Sequence, residues 1–427
     1  MIKHFLAFII ACLFLSANSA ALQVSGLDVA VKTIPFLETM PEKDGLIVYS
    51  KHCENKECTP LTQAYPQSRA WVVLAYTQLY EATGDQQYLT KAEDAMEKLL
   101  INCPPDSGAD CQYIGVQAEK LYTLTSDERY LEYLKGLDEK LIPRGGGDDM
   151  LKAIAARELA LAYKHGIYNK PVQLVGALKM LTLDIDGGDT LLEYEGIELK
   201  RHSCWSQLAW IEFYKALDAR DDDEVVLSGM TVAKIKPQVL KQPETFFKTI
   251  NFETLSSTPN IYVLTLTELE PCAEGLIDMY EITGDEDYRN RALAFLNGLL
   301  DRHWDAEYSV KYVGDNSFTA QGCRASNEGE HTCYRNNKIL TDNAYATYLY
   351  ARVKDEKFTV NEKEIVYLEE PILDPDLIPE IAHLPKTTTS TKPTVTEQTK
   401  AKTPYLSLIA LLAVVLAAAY VISQKNH

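Results

Sequence analysis

The sequence lacks an excess of positive charge: 42 Lys and Arg residues stand against 61 Asp and Glu residues, a formal net charge of −19. Such a chain repels phosphate backbones and offers no basic stripe, which argues against nucleic acid as a partner. The sequence also lacks the G-x-S-x-G, Walker, His-Glu-x-x-His and G-x-G-x-x-G motifs. Serine-triad hydrolases, nucleotide enzymes and common zinc peptidases therefore lose support, and we expect no cofactor and no bound metal.

Long apolar runs are absent except at the two ends. Near the start, Lys3 and His4 precede an apolar run from Phe5 to Leu15, and small residues follow it. This pattern predicts a secretory signal peptide over residues 1–20. The alternative is a retained anchor, but the run is too short to cross a hydrocarbon core of roughly 30 Å.

Near the other end, residues 405–422 form an uncharged run of 18 apolar or small residues, which predicts one transmembrane helix. Residues 423–427 are then a cytoplasmic tail. Residues 361–404 are predicted to be an extended linker with a stalk rich in Thr, Lys and Pro. We therefore expect a single-pass protein at the cell surface, its globular domain outside and its membrane contact limited to this helix.

Eight cysteines remain after the predicted signal peptide, and export makes disulfides the default interpretation. They are Cys53, Cys58, Cys103, Cys111, Cys204, Cys272, Cys323 and Cys333. Proximity in the sequence suggests three short-range pairs, 53 with 58, 103 with 111 and 323 with 333, and leaves 204 and 272 as a long-range pair. The alternative is a zinc site at His52, Cys53 and Cys58, although no second cluster has the spacing that structural zinc sites favour.

The region 25–360 carries a repeated pattern that predicts helix pairs. LYEATGDQQYL, LYTLTSDERYL and MYEITGDEDYR begin at residues 79, 121 and 279. Each is apolar at helical spacing, breaks at Thr-Gly-Asp or Thr-Ser-Asp, and then resumes. A helix ending near the Gly and an Asp capping the next helix would produce this pattern.

Weaker copies of the pattern raise the number of helix pairs to six. First members centre near residues 79, 121, 162, 213, 279 and 349. A helix from about Gly26 to Met40 would supply the last outer partner by closing a ring. An open solenoid is the alternative, but tetratricopeptide arrays keep a period of about 34 residues and these intervals are longer and uneven. We therefore predict an all-α, closed (α/α)6 toroid whose connecting loops gather at one mouth.

The Thr-Gly-Asp turns, the helix pairs and their number resemble the six-hairpin glycosidase superfamily. The resemblance covers about residues 65–353. It implies an (α/α)6 toroid that hydrolyses, or sometimes eliminates, glycosidic bonds in polysaccharides. It also implies a substrate cleft at the mouth where the inner helices begin.

Polar and aromatic residues precede or begin each first helix. They are Tyr65, Arg69, Trp71, Gln112, Tyr113, Asp148, Asp149, Glu193, Glu195, Arg201, His202, Trp205, Glu268, Glu270, Asp342 and Asn343. Sugar cleavage needs one carboxylic acid to protonate the leaving oxygen, a second carboxylate, and flat rings that stack on sugar faces. The composition of this set satisfies that need.

Four of these acids are the predicted catalytic candidates: Asp148, Asp149, Glu270 and Asp342. Asp148 and Asp149 follow three glycines, and two adjacent carboxylates tend to raise one pKa. Each candidate has an ordinary alternative. Asp148 or Asp149 would cap a helix, Thr341 or Asp342 would cap another, and Glu270 would be exposed to solvent.

The predicted substrate-binding residues are Tyr65, Arg69, Trp71, Tyr113, Arg201, His202, Trp205 and Asn343. Arg201 with His202 would bind an acidic sugar such as a uronate, or form an ordinary surface pair. Tryptophans such as Trp205 are more often core residues than sugar platforms. The loop closed by Cys323 and Cys333 would shape access to the cleft, or lie passively on the far face.

Two further classes of function stay open beside the carbohydrate-active enzyme. One is a noncatalytic surface protein that holds a glycan or a protein at the same mouth. The other is a purely structural envelope protein.

Overall fold

Helices dominate the part of the chain that the computed structural model describes: residues 22–43, 45–54, 57–60, 64, 66–104, 114–136, 149–186, 190–194, 197–200, 202–227, 229–249, 270–303, 320–325 and 331–360. All of them belong to one compact unit, Met1–His383, and a second unit, Leu384–His427, lies outside the described residues. The predicted signal peptide, stalk, spanning helix and tail fall outside the described residues too. None of the described helices is long and apolar enough to span a bilayer.

The described residues form twelve helices. They are α1 (Gly26–Thr39), α2 (Pro66–Thr83), α3 (Gln86–Asn102), α4 (Ile114–Thr125), α5 (Glu128–Gly136), α6 (Asp149–Lys164), α7 (Pro171–Asp186), α8 (Ser203–Asp218), α9 (Val232–Thr249), α10 (Glu270–Thr283), α11 (Glu286–His303) and α12 (Leu340–Arg352).

The even-numbered helices form a closed inner ring. Each packs against the next, from α2 through α4, α6, α8 and α10 to α12, and α12 packs against α2. Each odd-numbered helix packs on the outside of one inner helix, and α1 covers α12. The prediction of a closed ring with six pairs is thus confirmed, including the role of the first helix, and an open solenoid is excluded.

The Thr-Gly-Asp turns that join three of the pairs form as the sequence predicts. The residue after the Thr has a left-handed backbone in each turn, with φ of 71° at Gly84, 69° at Gly284 and 59° at Ser126. The Asp then caps the following helix: Asp85 accepts a hydrogen bond from the backbone N–H of Gln87 at 3.0 Å. The same bond forms in the other two turns. The left-handed residue reverses the chain, and the cap starts the antiparallel partner.

The all-α prediction needs a correction, because the described connections contain strands. They are β1 (Leu22–Ser25), β2 (Glu42–Lys43), β3 (Leu46–Ile47), β4 (Ser50–Glu54), β5 (Glu57–Pro60), β6 (Thr190–Tyr194), β7 (Ile197–Lys200), β8 (Val225–Leu227), β9 (Met230–Thr231), β10 (Ala320–Ala325), β11 (His331–Ile339) and β12 (Lys357–Val360). One antiparallel sheet has the order β10-β11-β4-β5. A second pairs β1 with β12 and so ties the two ends of the ring together.

The two rims of the ring differ in the length of chain they carry. Three of the connections from an inner helix to its outer partner are two-residue turns, and the longest is segment 219–231. Four of the connections that lead into an inner helix are longer than that: 40–65, 187–202, 250–269 and 304–339. The other two, 103–113 and 137–148, are nearly as long as segment 219–231. The inner helices all begin at one end of the ring, and we call this end the N-terminal rim. Long connections on a rigid scaffold are where binding sites are usually built.

One predicted disulfide is confirmed at this rim. Cys204 and Cys272 are bonded, with Cα atoms 4.9 Å apart, and join the first turns of α8 and α10. Cys103 is also disulfide-bonded, and Cys111 lies outside the described residues.

The other two predicted pairs stay predictions. The β4–β5 register sets Cys53 opposite Cys58, and the β10–β11 register sets Cys323 opposite Cys333. Opposed residues in antiparallel strands have the Cα separation that disulfides need. β11 ends directly before α12 begins, so the hairpin that carries Cys323 lies at the N-terminal rim rather than on the far face.

Candidate functional site

The predicted site residues that the structure describes all lie in the early turns of the inner helices or just before them. They are Arg69, Trp71, Asp149, His202, Trp205, Glu270, Asp342 and Asn343. Tyr65, Tyr113, Asp148 and Arg201 lie outside the described residues. The described part of the chain has no group of three or more His, Cys, Asp or Glu residues arranged to hold a metal ion.

Glu270 begins α10, with Pro271 in the next helical position. Its side chain is fully buried, so the expectation of solvent exposure is wrong. Neither carboxyl oxygen has a hydrogen-bond partner. Burial, and then the charge of Asp342, raise the pKa of Glu270 well above its usual range. The protonated form of Glu270 is therefore favoured.

Asp342 and Asn343 lie in the first turn of α12 and are buried. The Asn343 side chain donates a hydrogen bond to the carbonyl of Ile339 at 2.8 Å. The residue at the cap position is Ile339, so the alternative that Thr341 or Asp342 caps this helix is wrong. Asp342 is instead the residue whose charge reaches Glu270.

Asp149 is the first residue of α6 and forms an ion pair with Lys152 at 2.8 Å, one turn along the helix. An acid in the first turn also interacts favourably with the helix dipole. These contacts favour the ordinary interpretation of Asp149, as a residue that stabilises a helix start.

Three aromatic rings meet in the centre of the ring below this rim. The centroids of Trp71 and Trp205 are 5.8 Å apart, although α2 and α8 stand on opposite sides of the ring. The Tyr345 ring lies 4.7 Å from Trp71 and 6.0 Å from Trp205. Both tryptophans are buried, which confirms the core interpretation of Trp205. We call these three side chains the aromatic floor.

A network of charges lies beneath the aromatic floor. The Tyr345 hydroxyl donates a short hydrogen bond to Glu274. Tyr348 donates to the same carboxylate at 3.1 Å, and Arg157 does so at 2.6 Å. Burial alone would raise the pKa of Glu274, but the charge and hydrogen bond of Arg157, together with the charge of Arg352, outweigh it and lower that pKa. Glu274 is therefore an ionised carboxylate that fixes Tyr345 from below.

The same pattern continues one turn deeper on α10. Asp278 lies 3.1 Å from Lys215 and 2.8 Å from Arg352. Burial opposes ionisation, yet these two cations hold the pKa of Asp278 below its usual range. Thus α10 presents Glu270, Glu274 and Asp278 at four-residue spacing on one face. The two deeper acids are paired with cations.

Two of the predicted substrate-binding residues, His202 and Arg69, are buried. His202 is buried, with a left-handed backbone directly before α8, so the surface pair with Arg201 is wrong for His202. Arg69 is buried too, and its guanidinium donates to Glu42 at 3.1 Å and to the carbonyl of Gly45 at 2.9 Å. These bonds hold the β2–β3 hairpin against α2.

Sequence reasoning missed a set of buried polar groups early in the inner helices. Their side-chain oxygens have no hydrogen-bond partner in the described structure. With Glu270, five inner helices each supply one such group: Ser68, Gln117, Gln207, Glu270 and Thr341. Helical periodicity carried a weak signal, because Ser68 lies three residues before Trp71 and Thr341 four before Tyr345. Buried polar groups without partners are uncommon and each calls for an explanation.

No protein-family model matches the sequence, and no curated protein is significantly similar to it. Among solved structures, the Lin0763 protein from Listeria innocua is 14% identical, with 77% of this chain and 97% of that chain covered and a TM-score of 0.49. An unsaturated glucuronyl hydrolase specific for heparin is 12% identical, covering 77% and 95%, with a TM-score of 0.48. A GH76 α-mannanase from Bacteroides thetaiotaomicron is 11% identical, covering 78% and 96%, with a TM-score of 0.49.

Proposed function

We propose that the N-terminal rim cleaves glycosidic bonds, with Glu270 as the general acid and Asp342 as the second carboxylate. The observation that carries the proposal is the burial of Glu270 without a partner beside a charged Asp342, which favours the protonated form of this carboxylic acid. A general acid needs such a raised pKa, and a second carboxylate near it completes the pair that glycoside cleavage uses.

In the proposed reaction, one carboxylic acid donates a proton to the leaving oxygen, and the second carboxylate acts as a base or a nucleophile. Glu270 gives its proton to the glycosidic oxygen while the bond from that oxygen to the anomeric carbon breaks. Asp342 either takes a proton from a water whose oxygen bonds the anomeric carbon, or attacks that carbon itself before water releases the sugar. In an elimination, the second carboxylate would remove a carbon-bound proton of the sugar instead.

Two further features support a glycan as the substrate. Most of the long connections of the chain lead to this rim, where they would shape a cleft. The resemblance of the Thr-Gly-Asp turns to those of six-hairpin glycosidases points to the same class of substrate.

We propose further that the domain is exported and held at the cell surface by the segment 405–422. The support is the sequence: an apolar run after Lys3 and His4 at the start, and an uncharged run of 18 residues near the end. Protease added to intact cells should remove the domain and leave a small membrane-bound fragment. Complete protection of the domain would contradict this placement.

The enzyme proposal is tested with the full-length protein in detergent micelles and a panel of defined oligosaccharides. The measurement is the appearance of new reducing ends or unsaturated products. Glu270→Gln and Asp342→Asn should each lower turnover by about 10²–10⁴-fold, the usual contribution of a general acid or base. Asp149→Asn is the matched control at the same rim and should keep wild-type turnover, because Asp149 is engaged by Lys152.

One observation favours a second candidate, a noncatalytic binding protein. The rings of Trp71, Trp205 and Tyr345 pack against one another and close the centre of the ring. A rim above packed rings suits binding as well as cleavage. If a panel member binds with no turnover, and Glu270→Gln leaves its affinity unchanged, this candidate replaces the enzyme.

A further inference from the structure

Apart from the Nε of Arg69, the polar groups without partners early in the inner helices belong to side chains that are uncharged or, in Glu270, favoured in the protonated form by burial. We call Ser68, Gln117, Gln207, Glu270 and Thr341 the rim polar set. It comprises two hydroxyls, two amide oxygens and one carboxyl group. All five side chains are more than nine-tenths buried, with exposed fractions between 0% and 5%. Each can exchange a hydrogen bond with a hydroxyl group.

Most of these groups lie on the helix faces that meet the centre of the ring. Thr341 is one turn before Tyr345, and Glu270 is one turn before Glu274, which Tyr345 contacts. Ser68 lies one turn before Trp71 in the same way. Residues three or four apart share a helix face, so these side chains lie above the aromatic floor.

The fourth group, Gln117, follows the same rule on α4. It lies one turn before Lys120, whose amine stands 5.0 Å over the Tyr348 ring inside the ring of helices. The remaining group, Gln207, lies one turn after Cys204, which is bonded to Cys272 on α10. It therefore faces the side on which Glu270 begins its helix.

The charges at this rim disfavour an anionic ligand. Three of the described cations at this rim are engaged: Arg69 is bonded to Glu42, Lys152 to Asp149, and Lys51 to the Thr39 hydroxyl. Asp342 contributes a negative charge beside Glu270, and the whole chain has a formal charge of −19. A carboxylate or sulfate bound above the aromatic floor would lose its hydration beside a like charge, which is strongly unfavourable.

We propose that the rim polar set binds an uncharged sugar, one that carries hydroxyl groups and neither a carboxylate nor a sulfate. This inference rests on the proposed function and narrows it. Elimination needs a carboxylate on the sugar to acidify the hydrogen that is removed. A neutral sugar therefore leaves hydrolysis as the reaction, and a uronate at Arg201 and His202 is excluded as the ligand.

The test compares matched pairs of tetrasaccharides of the same linkage, one of neutral hexoses and one of the corresponding uronates, on the full-length protein in micelles. We expect at least one neutral member to bind 10-fold or more tightly than its uronate partner and to yield only reducing ends. Tighter binding of a uronate, or any unsaturated product, would overturn the inference and leave the proposed glycan function standing. If no panel member of either kind binds, both the inference and the proposed function fail.

A pair of variants tests the rim polar set without relying on Glu270. Thr341→Val removes a hydroxyl that has no partner in the protein. We expect the affinity for the neutral sugar to fall about 2- to 10-fold, which corresponds to the loss of one hydrogen bond. We expect the melting temperature to rise, because the variant no longer buries an unpaired hydroxyl. Thr77→Val is the control, because the Thr77 hydroxyl is equally buried but already donates to the Leu74 carbonyl. It should leave the affinity unchanged. Equal affinities for Thr341→Val and the wild type would contradict the assignment.

Discussion

Glu270 and Glu274 lie one turn apart on the same face of α10, and their pKa values are shifted in opposite directions. Both are fully buried, which favours the neutral form of each. Arg157 contacts Glu274 at 2.6 Å and keeps it ionised. Glu270 instead faces the like charge of Asp342, which raises its pKa further. One helix thus carries a structural carboxylate and, a turn nearer the rim, a protonated acid.

Glu270→Gln should gain stability relative to the wild type as the pH rises. The pKa of Glu270 is raised in the folded state above the ordinary value of 4.5. The stability linked to its proton is complete below that value and is lost as the pH climbs toward the folded pKa. The difference in unfolding free energy should therefore change by up to about 1.4 kcal/mol per pH unit above about pH 4.5. Denaturant unfolding of both proteins between about pH 4 and pH 8 measures it, and a flat difference would contradict the raised pKa.

Glu274→Gln should show the reverse dependence. The lowered pKa of Glu274 means that its contribution is present above the ordinary value of 4.5 and is lost as the pH falls through the folded pKa. At neutral pH the variant leaves Arg157 buried with only Glu212, at 3.4 Å, as a partner. We expect a loss of about 3–5 kcal/mol, as for other broken buried pairs. The same unfolding series measures it, and a loss that grows on acidification would refute the ion pair.

Tyr345→Phe and Tyr348→Phe should separate the aromatic floor from the network beneath it. Each removes one hydroxyl that donates to Glu274. Of these two rings, only that of Tyr345 also packs against Trp71 and Trp205. Loss of the hydrogen bond to Glu274 should therefore disturb the tryptophans in Tyr345→Phe and not in Tyr348→Phe. Each variant should lose about 1.5–3 kcal/mol of stability, the contribution of a hydrogen bond to a charged group. Near-ultraviolet circular dichroism should change for Tyr345→Phe alone, and equal spectra for the two variants would argue against the floor as described.

The closure of the ring predicts that alanine substitutions at two glycines will change the stability of the protein in opposite directions. A Cβ at Gly26 would lie 2.4 Å from the carbonyl oxygen of Val353 and 2.5 Å from that of Tyr350, where α1 meets the end of α12. Gly26→Ala should therefore cost more than about 2 kcal/mol, because backbone atoms must shift. Gly176 in α7 has open space around it, and Gly176→Ala should stabilise the protein by about 0.4–1 kcal/mol. Similar melting temperatures for the two variants would count against the observed closure.

The sequence was most informative about the ring itself. The turn between paired helices requires a left-handed residue and a capping Asp. Both requirements are local, and the short motifs around Gly84 and Gly284 contain the residues that meet them. The equivalent Ser126 was recognised because the Asp after it and the pattern around it are the same. The first helix was placed as the partner of the last because a ring of six pairs needs one more outer helix.

The pairing of β4 with β11 and the raised pKa of Glu270 were harder to predict for a common reason, since both depend on residues far away in the sequence. Ser50 pairs with Ile339, and no local sequence pattern predicts a strand pairing between residues so far apart in the sequence. Glu270 and Asp149 look alike in the sequence, as acids at helix starts. They differ because Lys152 follows one of them within a turn, whereas α12 brings Asp342 to the other.

The protonation state of Glu270 decides whether this residue can act as the general acid. An infrared difference spectrum between the wild type and Glu270→Gln at pH 7 isolates this carboxyl from Glu158, whose pKa is also raised well above its usual range by burial. The account predicts the carbonyl band of a protonated carboxylic acid in the wild type, absent from the variant. A difference spectrum that contains only carboxylate bands would show Glu270 to be ionised and would remove it as the general acid.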